Sequence, residues 1–427
     1  MTPFLVLVAL LCVLFVAGFP VAFSLGIAGF IGLLVTDQSL KIVGEIVFSS
    51  VDNFVLLAIP LFIFMSRLLL KTGMAEDIFA VMDVFLRHLP GGLAVAAVFC
   101  CAFFATISGS SVTNAAAVGI IAIPALIQRG YPPRFVAGLI AAGGTLGILI
   151  PPSIPFIVYG AITGESVGKL FVAGVVPGIL MALMLAGYAM FASSIHGYGR
   201  REAAATWSER WAALRRASWA LTLPIAILGG IYSGIFTPTE AAAIGVLLSA
   251  LAGCIRYRTL DWASTWAAAR ETVQIAAMLL AIIAGAKLFG HVATTMQIPQ
   301  GFSDWIVGTG VGKTGFLIGV MLALILLGDF LDPISIILIV VPILHPVLKT
   351  FDIDPIWFGV LLVINMELAN ITPPVGLNLF VIQGIQRDLT FADVLRGTFP
   401  FMMVITAGLG AVLVWPELAL WLTRHVQ

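Results

Sequence analysis

The segment SGSSVTN, residues 108–114, is a run of small and polar residues inside near-continuous hydrophobic sequence. Three similar interruptions follow it: GILIPPS at 147–153, GDFLDP at 328–333 and NITPPVGLN at 370–378. Lipid offers no hydrogen bonds, so backbone groups freed by proline or glycine must find partners in protein, water or a bound ion. Paired interruptions in the two halves of a membrane chain are typical of the substrate and ion sites of secondary transporters.

The composition is that of a membrane protein. Of the 427 residues, 61% are hydrophobic and 10% are charged, and the mean hydropathy is +1.12. A membrane-spanning helix needs roughly 20 apolar residues, and the charged clusters leave about ten to twelve such stretches, the first at 3–35. We therefore predict an all-α polytopic membrane protein. Its zero net charge does not indicate a nucleic-acid partner.

Metal, redox and catalytic motifs are missing from the sequence. The four cysteines show no C-x-x-C spacing, and the five histidines are scattered without helical pairing. We found no recognisable set of nucleophile, base and metal ligands. These patterns predict packed, reduced thiols and a protein that is not an enzyme.

A basic linker divides the chain near its middle. Residues 196–217 form the most polar connection, in which arginine outnumbers glutamate: Arg200, Arg201, Arg210, Arg215 and Arg216 against Glu202 and Glu209. Because cytoplasmic loops of membrane proteins carry an excess of basic residues, we predict that this linker is cytoplasmic. It separates a first half, 1–195, from a second half, 218–427.

The two halves share a pattern of breaks in the same order and at nearly constant spacing. The corresponding pairs are Asn114 with Asp332, Pro151-Pro152 with Pro373-Pro374, and Gly174 and Pro177 with Gly397 and Pro400. This repeat predicts two structurally related halves with a site between them. The pattern alone leaves open whether the halves are inverted.

Each half is predicted to contain a re-entrant helical hairpin and a broken helix. The hairpins are expected at about 108–130 and 329–350, because each stretch begins in a polar turn and contains an internal proline. The broken helices are expected at about 134–160 and 355–385, where adjacent prolines remove backbone donors.

The polar breaks suit two kinds of ligand. Hydroxyls, amides and free helix N-termini at 108–114 favour a carboxylate, although small residues there also suit helix packing. Carbonyls freed by the proline pairs at 151–152 and 373–374 suit a sodium ion, which prefers oxygen ligands. A simple proline kink or a surface loop is the alternative for those pairs.

Ionisable residues also interrupt the apolar sequence. Asp329 and Asp332 end an apolar run, and proton or cation handling is plausible for this pair. Lys287 and Glu367 interrupt other apolar stretches, and for them an interfacial, snorkelling position is the simpler interpretation.

Together the four interruptions resemble the large membrane subunit of tripartite ATP-independent periplasmic (TRAP) transporters, along essentially the whole chain. The resemblance implies two inverted repeats, each with a re-entrant hairpin and a broken helix. It also implies an elevator-type transport domain that slides against a fixed scaffold, in the bacterial inner membrane.

The resemblance further implies sodium-coupled uptake of a small organic acid, such as a C4-dicarboxylate, a sialic acid or another sugar acid. A soluble periplasmic substrate-binding protein would deliver the substrate. A small four-helix membrane subunit would complete the scaffold, and membrane lipid would surround both subunits.

Carried over by position, the resemblance implies two overlapping sets of site residues. The implied sodium ligands are Ser108, Gly109, Gly147, Pro151, Gly328, Asp332, Asn370, Thr372 and Gly376. The implied substrate-binding residues are Ser110, Ser111, Thr113, Asn114, Pro152, Ser153, Asp332 and Asn378.

Two other functions remain open from the sequence. A self-sufficient ion-coupled organic anion transporter would share this repeat plan but would need no binding protein. A purely structural membrane scaffold would tolerate mutation of both proline pairs.

Overall fold

The computed structural model describes residues 2–199 and 201–425. Helices joined by turns and loops are the only regular secondary structure in these residues. The first half contains α1 Thr2–Val16, α2 Val21–Val35, α3 Lys41–Val51, α4 Ala58–Leu70, α5 Met74–Leu86, α6 Gly92–Ser108, α7 Ser111–Gln128, α8 Pro133–Thr145, α9 Ile154–Thr163 and α10 Val167–His196. Then come α11 Trp207–Arg216, α12 Ser218–Tyr232, α13 Pro238–Leu251, α14 Trp262–Thr295, α15 Ile298–Gly308, α16 Lys313–Gly328, α17 Pro333–Thr350, α18 Pro355–Ala369, α19 Leu377–Ile385, α20 Phe391–Val414 and α21 Glu417–Leu420. The all-α prediction is confirmed.

Six of the described helices are long and apolar enough to cross a membrane, so the chain is a multi-pass membrane protein. Eight further apolar helices have only 10–17 residues. With the bent pair α3 and α4 counted as one span, the number of candidate spans reaches seven, fewer than the ten to twelve apolar stretches in the sequence. The apolar stretches are longer than the helices they form because glycine and proline interrupt them. The predicted span at 3–35, for example, is broken between α1 and α2 at Gly18, whose φ is +81°, and Pro20.

Two pairs of consecutive helices meet at polar tips. In the first half, α6 packs against α7, and the tip between them is Gly109 and Ser110. In the second half, α16 is followed by the tip at 329–332 and then by α17. The first helix of each pair, α6 or α16, lies N-terminal to the hairpin predicted from the sequence. The predicted ranges 108–130 and 329–350 therefore contain only the tip and the second helix of each pair. The sequence does not reveal α6 and α16 as parts of hairpins, because their apolar residues resemble those of any membrane helix.

The helix breaks at the two proline pairs are alike in both halves. Helix α8 ends in a short 3₁₀ turn, Leu146–Ile148, and α9 begins after the break at 149–153. Helix α18 is followed by the break at 370–376 and then by α19. Both Pro-Pro peptide bonds are cis.

Elements of the two halves are interleaved rather than separate. Helix α19 of the second half packs against α7 and α8 of the first, and α17 packs against α9. On another side, the long helix α14 contacts α2, α3 and α4.

Helices α8 and α20 cross at glycines from both halves. A Cβ atom on Gly138 would lie 2.0 Å from the carbonyl oxygen of Gly397. A Cβ atom on Gly397 would lie 1.9 Å from the carbonyl oxygen of Arg134. Any side chain would clash there, so the two helix backbones are in direct contact.

Ion pairs attach the basic linker to both ends of α5, at Asp77 in its first turn and at Arg87 just after its last residue. The Arg216 guanidinium lies 2.5 Å from the Asp77 carboxylate, and that of Arg87 lies 3.1 Å from the Glu209 carboxylate. Hydrogen bonds from Thr206 and Arg87 lower the pKa of the exposed Glu209 carboxyl. Of the predicted linker arginines, Arg200 lies outside the described residues. These contacts place the described linker helix α11 against α5.

Candidate functional site

The hairpin tips and helix breaks converge on one cavity of about 350 Å³, here called the central cavity. Residues 108–113 of the first tip form one wall, with Asp332 of the second tip and Asn370 of the second break. The first residues of α9 and α19, Ile154 and Leu377, also line it. Helices α4 and α14 close the opposite side.

Several helices present their N-termini to the central cavity. Helix α7 is capped by the Ser110 hydroxyl, which accepts from the Thr113 amide, and α17 is capped by Asp332. Helices α9 and α19 also begin at the cavity. Free N–H groups and the helix dipole give each N-terminus a partial positive charge, so this arrangement favours an anion.

Asp332 has a structural role at the cavity wall. Its carboxylate accepts hydrogen bonds from the Ile334 and Ser335 amides, each at 3.1 Å, and from the Ser335 hydroxyl. It lines the central cavity while making these bonds. Asp329, its partner in the sequence, is only 6% exposed and does not line the cavity.

Ser111 and Asn378 join the two halves by a buried pair of hydrogen bonds. The Asn378 amide nitrogen donates to the Ser111 hydroxyl at 2.8 Å, and that hydroxyl donates to the Asn378 amide oxygen at 3.1 Å. The same nitrogen donates to the Ala141 carbonyl at 3.0 Å. Asn378 is fully buried and does not line the cavity, so it supports the wall from behind.

Asn114 lies behind the first tip rather than in the cavity. Its amide nitrogen donates to the carbonyls of Cys101 at 3.1 Å and Gly144 at 3.2 Å. Its amide oxygen is buried without a hydrogen-bond partner among the described residues. Gly147 packs closely here, since a Cβ atom on it would lie 2.6 Å from the Ser110 carbonyl oxygen.

The first proline break supports the first tip. The carbonyl oxygen of Pro152 would lie 3.0 Å from a Cβ atom on Gly109, whose φ is +60°, so the tip approaches the break closely. The Ser153 hydroxyl donates to the Ile148 carbonyl and accepts from the Phe156 amide at 3.5 Å. The structure therefore places Pro151, Pro152 and Ser153 behind the central cavity, not among the residues that line it.

Of the predicted residues in the second half, only Asn370 and Asp332 line the cavity. The Thr372 hydroxyl donates to the Leu368 carbonyl at 2.7 Å within the helix end. Gly376 adopts a φ of +48° at the start of α19, and Gly328 packs against Ala369. The buried amide nitrogen of Asn370 has no described partner.

Arg67 is a cavity residue that the sequence interpretation missed. It lies on α4 and lines the central cavity opposite the first tip. One guanidinium nitrogen is 3.4 Å from Glu271, while Nε is buried without a described partner. In the sequence, the only indication of this position was a single arginine inside the apolar segment that forms α4. Its position in the fold gives the cavity a cationic group.

Glu367 lies in the protein interior, not at an interface. Its side chain on α18 is fully buried, and neither carboxyl oxygen has a partner among the described residues. The interfacial interpretation of this residue was wrong, because the apolar sequence around it forms a helix packed on several sides by α10, α16 and α20.

Apolar helices whose four breaks meet at one cavity, with polar side chains at the tips, define a polytopic membrane protein of the transporter class. The sequence matches the family described as the DctM component of tripartite ATP-independent periplasmic transporters over residues 8–418. The chain belongs to this family of transporter permeases.

Similar proteins cover nearly the full chain. It is 40% identical to a C4-dicarboxylate TRAP transporter large permease protein of Pseudomonas aeruginosa, covering 93% of each chain. It is 32% identical to a sialic acid TRAP transporter large permease protein of Vibrio cholerae, covering 95% of each. The fold resembles the crystal structure of the Alcanivorax borkumensis YdaH transporter, with a TM-score of 0.61, 14% identity and coverage of 88% and 87%.

We predict that Ser111 and Asn378 are energetically coupled. Replacing Asn378 by alanine removes both hydrogen bonds of the buried Ser111 hydroxyl with its amide and the extra donor to the Ala141 carbonyl, and is expected to cost about 1–3 kcal/mol of stability. Because S111A removes part of the same network, the double variant should cost less than the sum of the two single variants. The measurement is unfolding of the purified chain, with Thr222→Ala on an exposed helix face as control. Additive losses would show that the two residues are not coupled.

Proposed function

We propose that this chain is the large permease subunit of a transporter that takes up a small organic acid. The observation that carries the proposal is the convergence of helix N-termini and Arg67 on the central cavity. Relatives that cover the same length are large permeases for a C4-dicarboxylate and for sialic acid, and both substrates are carboxylates. The volume of about 350 Å³ is in the range of small-molecule sites.

The serine and threonine hydroxyls of the first tip are placed to bind the substrate anion. Ser110, Ser111 and Thr113 line the central cavity beside the N-terminus of α7. Arg67 faces them from α4 and supplies a charge that pairs with a carboxylate in two parallel hydrogen bonds. Asp332 adds an acceptor for substrate hydroxyl groups or a cation ligand.

Sodium is the coupling ion in this proposal, and the residues behind the first tip fit such an ion. The orphaned, buried amide oxygen of Asn114 lies on α7 close to Gly147 and to the Ser110 carbonyl. An uncharged oxygen without a donor suits a hard cation. We therefore reassign Asn114 from the substrate to the ion, with carbonyls of the first tip and first break as further ligands. Sodium supplies charge that offsets the anionic substrate.

An elevator movement agrees with the division of contacts in the fold. The tips and breaks of both halves are joined in one body by the Ser111 and Asn378 bonds and by the packing of α7, α8 and α19. The other wall of the central cavity is α4 and α14, and α14 packs against α4 and also against α2 and α3. We propose that the first group is the transport domain and the second belongs to the scaffold.

Two partner proteins complete the proposed transporter. The family is tripartite, which calls for a small membrane subunit and a soluble periplasmic binding protein in addition to this permease. The basic linker is proposed to face the cytoplasm of a bacterial inner membrane. Uptake by the isolated chain, without either partner, would instead identify a self-sufficient anion transporter.

Sodium should stabilise the purified chain. A ligand that binds only the folded state adds about 2.7 kcal/mol at a hundredfold excess over its Kd. We expect a higher melting temperature in sodium chloride than in potassium or choline chloride at equal ionic strength. Asn114→Ala should lose the sodium-specific part, whereas Thr222→Ala should keep it. Equal stability in all three salts, also with both partners and succinate present, would exclude sodium as the coupling ion.

Asp332→Asn should abolish uptake while the protein stays folded. Asparagine caps helices as well as aspartate does, so the N-terminus of α17 remains capped, but the cavity loses a carboxylate. Asp354→Asn is the matched control, because Asp354 caps α18 through the Ile356 and Trp357 amides outside the cavity. Uptake of radiolabelled succinate by the assembled complex is the measurement. Equal uptake by both variants would remove Asp332 from the site.

Arg67→Gln should raise the succinate concentration for half-maximal uptake by about tenfold, the effect of losing about 1.4 kcal/mol of carboxylate binding. Arg67→Lys keeps the charge but loses the planar guanidinium, so its succinate concentration for half-maximal uptake should lie between those of the parent protein and Arg67→Gln. Arg270→Gln, at an exposed position on α14 outside the cavity, is the control. Should Arg67→Gln and Arg270→Gln behave alike, the substrate does not contact Arg67.

A further inference from the structure

A second cavity, of about 480 Å³, lies between α3, α9, α14 and α17. Three basic side chains line it: Lys287 and His291 on α14 and His345 on α17. The hydroxyl groups of Ser49 and Thr163 also line it, and each donates to a backbone carbonyl of its own helix. None of its described lining residues is an aspartate or a glutamate. We call it the basic cavity.

The basic groups are not neutralised within the described part of the chain. Lys287 has no ion pair or hydrogen bond there, and the Nδ1 atom of His345 is buried without a partner. His291 bonds to Gln38 through Nε2, at 2.9 Å, which leaves its other ring nitrogen open. Glu165 and Lys349 are the nearest charged groups that act on His345, one of each sign. The cavity therefore attracts anions and repels cations.

Three helices connect the basic cavity to the central cavity. Helix α9 runs from Ile154 in the central cavity to Thr163 in the basic cavity. Helix α14 likewise runs from Met278 to Lys287, and α17 from Pro333 to Pro342. At about 1.5 Å per residue, the nearest lining residues of the two cavities are about 10 Å apart along α9 and α14 and about 6 Å apart along α17, where Ile334 lines one cavity and Leu338 the other. The cavities thus lie at two depths along the same three helices.

The basic cavity lies at the end of the fold away from the basic linker. Helix α9 ends at Thr163 in the basic cavity, and α10 begins shortly after it at Val167. Helix α10 then runs 30 residues, or about 45 Å, to His196 at the start of the linker. If the linker is cytoplasmic, the basic cavity faces the periplasm.

We propose that the basic cavity is an anion-binding vestibule in which the organic acid binds through Lys287 before it reaches the central cavity. The proposal rests on the proposed uptake function for its substrate class, a small carboxylate. Lys287 supplies the charge, and His345 supplies a directional hydrogen bond through its unpartnered Nδ1. Lys287 is exposed as well as lining the cavity, so its side chain is accessible to an entering anion, and its snorkelling position stays a prediction.

Protection of an introduced cysteine tests the vestibule. Thr294 lines the basic cavity and is exposed, so Thr294→Cys reports on its occupancy. Cys12 and Cys254, the exposed native cysteines, are replaced by serine, while Cys100 and Cys101 are buried and stay. The complex with both partners, in membrane vesicles of native orientation, is treated with a membrane-impermeant maleimide. Succinate should slow the modification, whereas its uncharged analogue succinamide should not.

Lys287→Gln should raise the succinate concentration for half-protection by about tenfold. Lys169→Gln is the matched control, because Lys169 is an exposed residue on α10 outside the cavity. In this variant succinate should protect the introduced cysteine as well as in the parent protein. Lys287→Arg should retain protection because it keeps the charge. His345→Gln provides a second cavity variant should Lys287→Gln fail to fold, and it should also weaken protection.

Several outcomes overturn the proposal. They are no modification of Thr294→Cys from the outside, equal modification with and without succinate, and equal protection in the Lys287→Gln and Lys169→Gln variants. Uptake of succinate by the parent complex is measured separately. Protection without uptake would leave the vestibule in place and contradict the uptake function. Uptake without protection would support the function and remove the vestibule.

Discussion

One constraint governs the structure. Every backbone carbonyl and amide at a helix break in an apolar body needs a hydrogen-bond partner. At the breaks the partners come from nearby protein. Asn114 bonds to the Gly144 carbonyl, Ser153 to the Ile148 carbonyl, and Asp332 to the Ile334 and Ser335 amides. Hydrogen bonds between Ser111 and Asn378 and between the Ile154 amide and the Gly109 carbonyl further join the first tip to both proline breaks in one network.

This network explains why the small residues of the breaks have different functions. Gly109 and Gly147 let backbones approach each other, while Ser110 and Ser111 present polar atoms to the cavity. Close backbone approach and exposed polar atoms thus occur side by side within one short segment. The packing interpretation of residues 108–114 matches the close contacts of Gly109, and carboxylate binding by the neighbouring polar residues stays a prediction.

The positions of the breaks could be predicted from the sequence because proline and glycine act locally on the backbone. The upstream arms α6 and α16 could not, since apolar sequence looks the same in a hairpin as in a full span. The cavity lining was also only partly predictable. Asn114 and Ser153 are as polar as Ser110, yet they face away from the cavity, and Arg67 enters it from a distant helix. The direction in which each side chain points depends on tertiary packing, which the spacing of residues along the chain does not encode.

The contact between Gly138 and Gly397 has a mechanical consequence. Side chains separate most packed helices, but here main chain touches main chain. Helix α8 continues to Gly144, where a Cβ atom would lie 2.5 Å from the Cβ atom of Ala115 on α7. Helix α8 thus links α20 to the helix that starts at the first tip through two contacts made without a side-chain spacer. Backbone geometry, not side-chain shape, therefore sets the spacing of these three helices, and the tip inherits it.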